Sequence, residues 1–347
     1  MDHGLSWPLK AFWLSQCSSR NGATGLPTMP PVKAFSSDHF VLPLPAGHRF
    51  PMAKYSRLRQ RVEEELHDVR LVEPEAATEG QLALAHAPEY IEKVMSGTLG
   101  PAEVRAIGFP WSHAMVERSR RSAGATIGAS RAAAVEGVAV NLAGGTHHAQ
   151  RDRGAGYCVF NDAAIAARVV QADAARARRQ ARVAVVDLDV HQGDGTAQIL
   201  AGDGSVFTLS LHGARNFPFR KQLSDLDIAL PDGTADEAYL AALDAALDEL
   251  QRRFEPQFII YLAGADAHED DRLGKLALTL DGMAARDQRV LDLAQRLNAP
   301  IAIAMAGGYG RDIETTVAIH LQTVRAARDA WARRQRNAER RAGSLGA

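Results

Sequence analysis

Three ionisable side chains lie within five residues at the end of a hydrophobic segment. Asp187, Asp189 and His191 follow the apolar residues 183–186, and alternation along a strand projects all three to one side. Two carboxylates this close repel each other unless a cation or a proton lies between them. An Asp-x-His pair supplies one oxygen and one nitrogen ligand, which suits Zn²⁺ or another borderline divalent metal. The alternative is a turn capped by aspartates, and the spacing favours the metal.

A third ligand follows another hydrophobic segment. Asp266 comes after the apolar residues 258–262 and after small residues that let the backbone approach a metal. Together with Asp189 and His191 it forms a two-Asp, one-His set with an open coordination position, which is typical of catalytic zinc. We interpret the polar residues 268–271 as the solvated start of a helix. The sequence leaves a second metal open.

Two consecutive histidines, His147 and His148, follow a glycine-rich segment. A neutral imidazole in a protein interior needs partners for both nitrogens, and Asp187 and Asp194 are free to orient one histidine each. Two His–Asp pairs beside one metal-bound water suit general base and acid catalysis on an amide. Taken alone, the histidine pair is equally consistent with a structural role.

Aromatic residues near these segments suggest how a substrate is held. Tyr309 lies among three glycines, where its hydroxyl can stabilise a developing oxyanion without adding charge. The alternative is an ordinary loop tyrosine. Gly156, Tyr157 and Phe217 offer a channel wall for a long apolar stem, although aromatic side chains more often pack in cores.

Short apolar segments alternate with helical patterns along the chain, which is typical of parallel strands joined by helices on both sides of a sheet. We predict strands at residues 32–36, 138–142, 182–188, 206–211, 258–262 and 301–306. We predict helices at residues 55–67, 87–95, 119–137, 162–180, 236–254, 281–297 and 313–333. A sheet of this kind places its site at the carboxyl ends of the strands, where the polar residues fall.

Composition excludes several classes of protein. The 347 residues carry a formal net charge of −1, which gives no electrostatic case for nucleic acid or an anionic membrane. Two cysteines cannot form a disulfide framework or a cysteine-based zinc site, so we predict a reducing, cytoplasmic location. No apolar segment reaches membrane-spanning length. We predict a disordered extension at 1–30, one catalytic domain at 31–330 and a basic tail at 331–347.

Six motifs, taken in order, resemble the zinc-dependent histone deacetylase family. They are Gly-Gly-Thr-His-His-Ala, Gly-Tyr-Cys-Val-Phe-Asn-Asp, Asp-Leu-Asp-Val-His-Gln-Gly-Asp-Gly, Ser-Leu-His, Gly-Ala-Asp and Gly-Gly-Tyr-Gly. The resemblance covers residues 32–328, and residues 38–51 resemble the bacterial branch near the class IV deacetylases. The family includes acetoin-utilisation proteins and acetylpolyamine amidohydrolases. It implies the single-domain, three-layer α/β fold shared with arginase, with a central parallel sheet flanked by helices.

The resemblance also implies a role for each matching residue. It makes zinc, or Fe²⁺ or another divalent metal in its place, the ion bound by Asp189, His191 and Asp266. It implies general base and acid catalysis by His148 with Asp194, and electrostatic stabilisation by His147 with Asp187. It implies that Tyr309 polarises the substrate carbonyl. The implied channel residues are Gly156, Tyr157 and Phe217, and the implied K⁺ site comprises Asp187, Asp189, His191, Ser210 and Leu211.

The function implied by the resemblance is hydrolysis of a linear amide C–N bond, with removal of an acetyl or other acyl group from a protein lysine. The first alternative is deacetylation of an acetylpolyamine or another small acylated amine. A two-manganese ureohydrolase requires an Asp-Ala-His-x-Asp pattern, whereas Gln192 and Gly193 follow His191 here. The alternative of another class is a non-catalytic module that binds acyl-lysine or metal. The sequence indicates neither the acyl length nor the oligomeric state.

Overall fold

Eight parallel strands form one sheet through the centre of the protein. The computed structural model describes residues 31–344, so the predicted extension at 1–30 lies outside the described residues. The strands are β1 (Val32–Phe35), β2 (Val69–Val72), β3 (Val138–Asn141), β4 (Val183–Asp187), β5 (Val206–Gly213), β6 (Leu226–Leu230), β7 (Phe258–Leu262) and β8 (Ile301–Ala304). Their order across the sheet is β2-β1-β3-β8-β7-β4-β5-β6.

Helices cover both faces of this sheet. Those that the structure describes are α1 (Lys54–Glu65), α2 (Glu79–Leu82), α3 (Pro88–Ser96), α4 (Pro101–Ile107), α5 (His113–Glu136), α6 (Asp162–Arg176), α7 (Asp194–Leu200), α8 (Asp236–Arg253), α9 (Leu280–Arg296) and α10 (Ile313–Ser344). Helices α1, α8, α9 and α10 contribute to the core on one face, and α5 and α6 to the core on the other. The predicted α/β fold with a central parallel sheet is confirmed.

Strand β4 illustrates why the central strands read as continuous apolar runs. Ala184 and Val186 pack into the core on one face of the sheet, whereas Val183 and Val185 pack into the core on the other. Successive side chains point to opposite faces, so a strand covered on both sides must be apolar at every position. Asp187, the last residue of β4, ends that run.

The sequence analysis did not predict the helices that are short or the strands that lie at an edge of the sheet. The edge strands β2 and β6 carry Arg70 and Asp227 within partly exposed segments, so they lack the continuous apolar run of the central strands. Helices α2, α4 and α7 span seven residues or fewer. Helix α5 begins six residues before its predicted start, where the Ser112 hydroxyl accepts a hydrogen bond from the backbone nitrogen of Met115. Helix α10 continues to Ser344, well into the predicted tail.

The strand order brings four distant parts of the chain together. Strands β3, β8, β7 and β4 are neighbours at the centre of the sheet, and all of them run in the same direction. Their carboxyl ends therefore meet at one edge, where the loops that follow them converge. Within the described chain, no helix is both long and apolar enough to cross a membrane.

Candidate metal centre and active site

The three expected metal ligands converge between the loops that follow β4 and β7. Asp189 and His191 belong to the loop after β4, and Asp266 belongs to the loop after β7. All three side chains are buried, and one ligand atom of each lies within 4.8 Å of the others. The set supplies two carboxylate oxygens and one imidazole nitrogen, which are donors that zinc accepts.

The charges and hydrogen bonds of this set fit a bound cation. Asp266 Oδ1 accepts a hydrogen bond from the backbone nitrogen of Val190, whereas the buried Oδ2 accepts none from the described residues. That oxygen lies 3.2 Å from Nδ1 of His191. Burial disfavours a charged imidazole, yet Asp189 and Asp266 raise the pKa of His191 to about 10. The carboxylates thus favour positive charge at the place where the three ligand atoms meet.

Glycines let the backbone close around the ligands. A Cβ atom on Gly264 would lie 2.6 Å from a carboxylate oxygen of Asp189 and 2.8 Å from one of Asp266. A Cβ atom on Gly307, in the loop after β8, would overlap the same two carboxylates. The backbone nitrogen of Gly307 instead donates a 2.7 Å hydrogen bond to Asp189. These glycines are therefore needed for the close approach of both loops to the candidate metal centre.

The two consecutive histidines lie beside this centre, each with the aspartate that the sequence analysis assigned to it. Nδ1 of His147 is 2.6 Å from Asp187 Oδ2, and Nδ1 of His148 is 2.6 Å from Asp194 Oδ1. The ring centroids of the histidines are 4.2 Å apart. Each aspartate fixes a ring through Nδ1, which leaves Nε2 as the second polar atom of each imidazole.

The environments of the two histidines move their pKa values in opposite directions. Burial disfavours the charged form of both rings. At His147 the carboxylates of Asp187 and Asp189 outweigh burial and raise the pKa to about 9. At His148 burial and the neighbouring His147 outweigh Asp194 and lower the pKa to about 4. His148 is therefore neutral near pH 7 and has a lone pair to accept a proton.

Asp162 positions the loop before the histidines, a role that the sequence analysis missed. Its carboxylate accepts hydrogen bonds from the backbone nitrogens of Gly145 (3.0 Å) and Thr146 (2.7 Å) and from the hydroxyl of Thr126 (2.5 Å). Gly144 and Gly145 both have positive φ, which lets the loop turn toward Asp162. The sequence signal was weak, because an aspartate at the start of a helix is common for local reasons.

Tyr309 lies in the loop after β8 and is held through its own backbone. Its nitrogen donates a 2.6 Å hydrogen bond to Asp271 Oδ2, and its carbonyl accepts a 2.9 Å hydrogen bond from Nε of Arg272. Burial raises the pKa of the Tyr309 hydroxyl well above its ordinary value, so the hydroxyl stays neutral. Its ring centroid lies 6.4 Å from that of His191.

The interpretation of residues 268–271 as the solvated start of a helix is wrong. The segment is irregular, and Asp271 is buried. Asp271 Oδ1 accepts hydrogen bonds from the backbone nitrogens of Leu273 and Gly274, both at 2.8 Å. A buried carboxylate needs such partners, and the further hydrogen bond from the Tyr309 nitrogen joins the loop after β7 to the loop after β8.

A cavity of about 350 Å³ opens onto these groups, and all three expected channel residues line it. Phe217 is 37% exposed, and its ring centroid lies 4.8 Å from that of His148. A Cβ atom on Gly156 would lie 2.6 Å from the His148 ring, so the backbone itself forms this part of the wall. Tyr157 is partly buried and packs at a tilt, 6.1 Å from Tyr309 between ring centroids.

The residues expected to hold a monovalent cation include two of the metal ligands, Asp189 and His191, and belong to strands β4 and β5 and the loop after β4. Asp187 on β4 pairs with Ser210 on β5 in the sheet. The Ser210 hydroxyl is 3.0 Å from Nδ1 of His212, and Asp187 Oδ1 accepts a hydrogen bond from the backbone nitrogen of Asp189. The Leu211 side chain packs into the hydrophobic core, so only its backbone carbonyl can contribute.

Comparison with known proteins places these features in a family context. A family model described as "Histone deacetylase domain" matches residues 48–324. An uncharacterised protein of Picosynechococcus is 42% identical over 294 residues, which cover 84% of this chain and 97% of that protein. Histone deacetylase 2 of Arabidopsis thaliana is 30% identical, covering 80% of this chain and 73% of its own. A crystal structure of a histone deacetylase homologue from Aquifex aeolicus has a TM-score of 0.73 and 25% identity, covering 86% of this chain and 84% of its own.

Proposed function

The chain belongs to the histone deacetylase domain family, and on that basis we propose that it is a zinc-dependent amidohydrolase that deacylates an N-acylated amine. The family resemblance predicted from the six motifs is confirmed. We propose an acetylated or otherwise acylated lysine of a protein as the substrate. The observation that carries the proposal is the burial of Asp189, His191 and Asp266 as one ligand set beside two His–Asp pairs.

The metal ligands and the two histidines have different roles in the proposed hydrolysis. A bound divalent metal supplies a Lewis acid for the amide carbonyl and lowers the pKa of a water molecule. His148 is neutral in its buried position and accepts the proton of the attacking water at Nε2, while Asp194 stabilises the charged ring. The same proton then passes from His148 to the departing amine. His147, held charged by Asp187 and Asp189, stabilises negative charge that develops beside it.

Tyr309 complements the histidines in this proposal. Its neutral hydroxyl donates a hydrogen bond to the carbonyl oxygen as negative charge accumulates there. Asp271 and Arg272 fix the backbone of Tyr309, which keeps the hydroxyl in place before the substrate arrives. Preorganised donors of this kind stabilise a transition state because they need no rearrangement during the reaction.

The residues that line the channel suit a substrate with an alkyl stem like that of lysine. Phe217 and Tyr157 offer aromatic surfaces, and Gly156 leaves room between them and His148. An alkyl stem four carbons long buries its apolar surface against such walls and delivers the amide to the catalytic groups. The amine end of the substrate then faces the exposed side of the channel, where Phe217 meets solvent.

Three finer proposals accompany this function. We propose that K⁺ is bound by Asp187, Asp189, His191, Ser210 and Leu211. We propose residues 31–330 as the catalytic domain, which contains every residue assigned above. We propose a cytoplasmic location, supported by a free, buried thiol at Cys158.

Release of free amine by the zinc-loaded full chain tests the proposal. The substrates are peptides that contain acetyl-lysine or longer acyl-lysines, and acetylpolyamines. We expect turnover that a chelator and His148→Ala abolish, while His67→Ala, at an exposed histidine of the surface, leaves it unchanged. Zinc binding, followed separately by metal analysis, distinguishes the remaining alternative. Stoichiometric zinc without turnover of any substrate would replace the enzyme with a binding module.

A further inference from the structure

Two buried cationic side chains line the same cavity as the catalytic groups. Lys54 at the start of α1 is 1% exposed, and Arg118 on α5 is 8% exposed. The proposed mechanism uses neither of them. Both lie against one aromatic ring, because the Lys54 ammonium is 5.2 Å and the Arg118 guanidinium 4.5 Å from the centroid of Tyr55.

Neither cation has a carboxylate partner among residues 31–340. Lys54 Nζ donates to the backbone carbonyls of Ala306 and Gly308, each at 3.3 Å, which leaves one of its three donors unused. The described residues supply no hydrogen bond or ion pair for the Arg118 guanidinium, which packs against the Tyr55 ring. Buried charges are normally paired, so two unpaired cations at one cavity wall indicate an anionic ligand.

The cations lie close to the catalytic groups and deep in the protein. Ala306 and Gly308, the acceptors of Lys54, flank Gly307, which packs against Asp189. The Lys54 ammonium is also 5.4 Å from the centroid of the Tyr309 ring. An alkyl stem that enters past the partly exposed Phe217 leaves its acyl group to extend beyond the amide. Phe217, the catalytic groups, Lys54 and Arg118 all line one cavity, so an acyl group held at the catalytic groups shares that cavity with the cations.

A further donor completes the cavity wall at this place. Ser122 follows Arg118 by one helical turn on α5, so the two side chains share a face of the helix. Its hydroxyl makes no hydrogen bond with the described residues, and Ser122 lines the cavity. An ammonium, a guanidinium and a hydroxyl all donate hydrogen bonds, and a carboxylate accepts hydrogen bonds at both of its oxygens.

We propose that Lys54 and Arg118 form a carboxylate subsite that selects acyl groups ending in a carboxylate, of the succinyl and glutaryl class. This inference rests on the proposed function of the same site. A succinyl group places its terminal carboxyl carbon about 4 Å beyond the amide carbonyl carbon, and the Lys54 ammonium lies 5.4 Å from the centroid of the Tyr309 ring in the same cavity. Hydrolysis breaks the amide C–N bond, adds the water oxygen to the acyl carbon and moves its proton to the amine. The products are a dicarboxylate and a free amine, with no change of oxidation state.

Matched acyl chains test the subsite directly. Succinyl-lysine and butyryl-lysine in one peptide have the same four-carbon chain and differ in a terminal carboxylate or methyl group. We expect kcat/KM for the succinyl peptide to exceed that for the butyryl peptide at least tenfold in the zinc-loaded protein. Lys54→Met and Arg118→Met should each reduce that ratio about tenfold or more. Lys33→Met and Arg120→Met, whose side chains contact Glu136 and Ala77, should preserve the ratio.

Binding to an inactive protein separates the subsite from the proposed reaction. Calorimetric titration of the zinc-loaded His148→Ala protein with both peptides should show at least tenfold tighter binding of the succinyl peptide. This preference should be lost in the double variant that also carries Lys54→Met.

Preferential binding without turnover in the parent protein would support the subsite and remove the proposed hydrolysis. Turnover of acetyl- and butyryl-lysine peptides without succinyl preference would overturn the subsite and leave the hydrolysis standing. Inhibition by free acetate that depends on Lys54, without succinyl preference, would likewise overturn it. If Lys54→Met fails to fold, the ratio of kcat/KM for the succinyl and butyryl peptides in Arg118→Met tests the subsite instead.

Discussion

The backbone nitrogen of Tyr309 donates a 2.6 Å hydrogen bond to the buried carboxylate of Asp271. These residues are 38 positions apart and belong to loops after different strands. The same carboxylate accepts two backbone hydrogen bonds within its own loop, at Leu273 and Gly274. Asp271 therefore fixes the position of Tyr309, although it does not itself line the cavity that Tyr309 lines.

Removing this carboxylate should impair turnover through the position of Tyr309. We expect Asp271→Ala to lower kcat about tenfold with a smaller effect on KM, because misplacing one oxyanion donor weakens transition-state stabilisation more than binding. Asp271→Asn keeps one oxygen acceptor and should recover part of the loss. Steady-state kinetics on an acyl-lysine peptide measures both constants. Asp281→Ala, at an exposed aspartate of α9, is the control, and equal kcat for Asp271→Ala and the parent would contradict this role.

The hydroxyl of Tyr309 should contribute directly to turnover. We expect Tyr309→Phe to lower kcat about 100-fold with little change in KM, which is the magnitude found when one oxyanion donor is deleted. Tyr239→Phe is a matched control, because the Tyr239 hydroxyl is buried, does not line the cavity and has no hydrogen-bond partner in the described chain. Its removal should leave activity intact and stability unchanged or higher. A Tyr309→Phe protein with parental kcat would remove the hydroxyl from the mechanism.

Metal binding should stabilise the folded protein. Asp189, His191 and Asp266 come together only in the folded chain, so an ion bound there favours the native state. The expected stabilisation is about 2.7 kcal/mol at a free zinc concentration 100 times Kd. Calorimetric scans with and without chelator should show a lower Tm after chelation. Asp266→Asn should shrink this difference, while Asp281→Asn should preserve it. Equal Tm values for the chelated and zinc-loaded parent would contradict a specific site.

Stability should also depend on the protonation of His86, which lies outside the catalytic groups. His86 Nδ1 is 2.9 Å from the carbonyl of Gln150, and Nε2 accepts a hydrogen bond from the backbone nitrogen of Asn161. Burial lowers the pKa of His86 from 6.5 to about 4. The unfolded chain therefore binds the proton more readily, and this stabilisation is present above pH 6.5 and lost as the pH falls toward 4. The loss between pH 7 and pH 5 should be about 2 kcal/mol.

Replacement of His86 isolates this contribution from other titrating groups. The free energy of unfolding, measured with urea at pH 7 and pH 5, should fall less in His86→Gln than in the parent. His67→Gln removes an exposed histidine and should show the parental difference. The same pH dependence in His86→Gln and the parent would assign the effect to other groups.

The sequence predicted the structure best where a single physical requirement determines which residue types can occur. Strand β7 was placed at its observed bounds, because a strand buried on both faces must be apolar throughout. The histidine–aspartate pairs could be anticipated because buried imidazoles need partners. Asp162 and Asp271 escaped detection, since each serves a loop distant in sequence. Nothing in a local pattern distinguishes an aspartate that binds its own turn from one that binds another loop.

The position of β8 has a consequence for how the protein acquires its site. This strand lies between β3 and β7, yet it is the last of the eight in the chain. Until residues 301–304 are in place, the two halves of the sheet have no common strand, and the loop bearing Gly307 and Tyr309 has no anchor. Contacts between such distant segments form slowly, because closing long loops costs entropy before any contact compensates. On the ribosome, the catalytic pocket therefore closes late, after all eight strands have been synthesised.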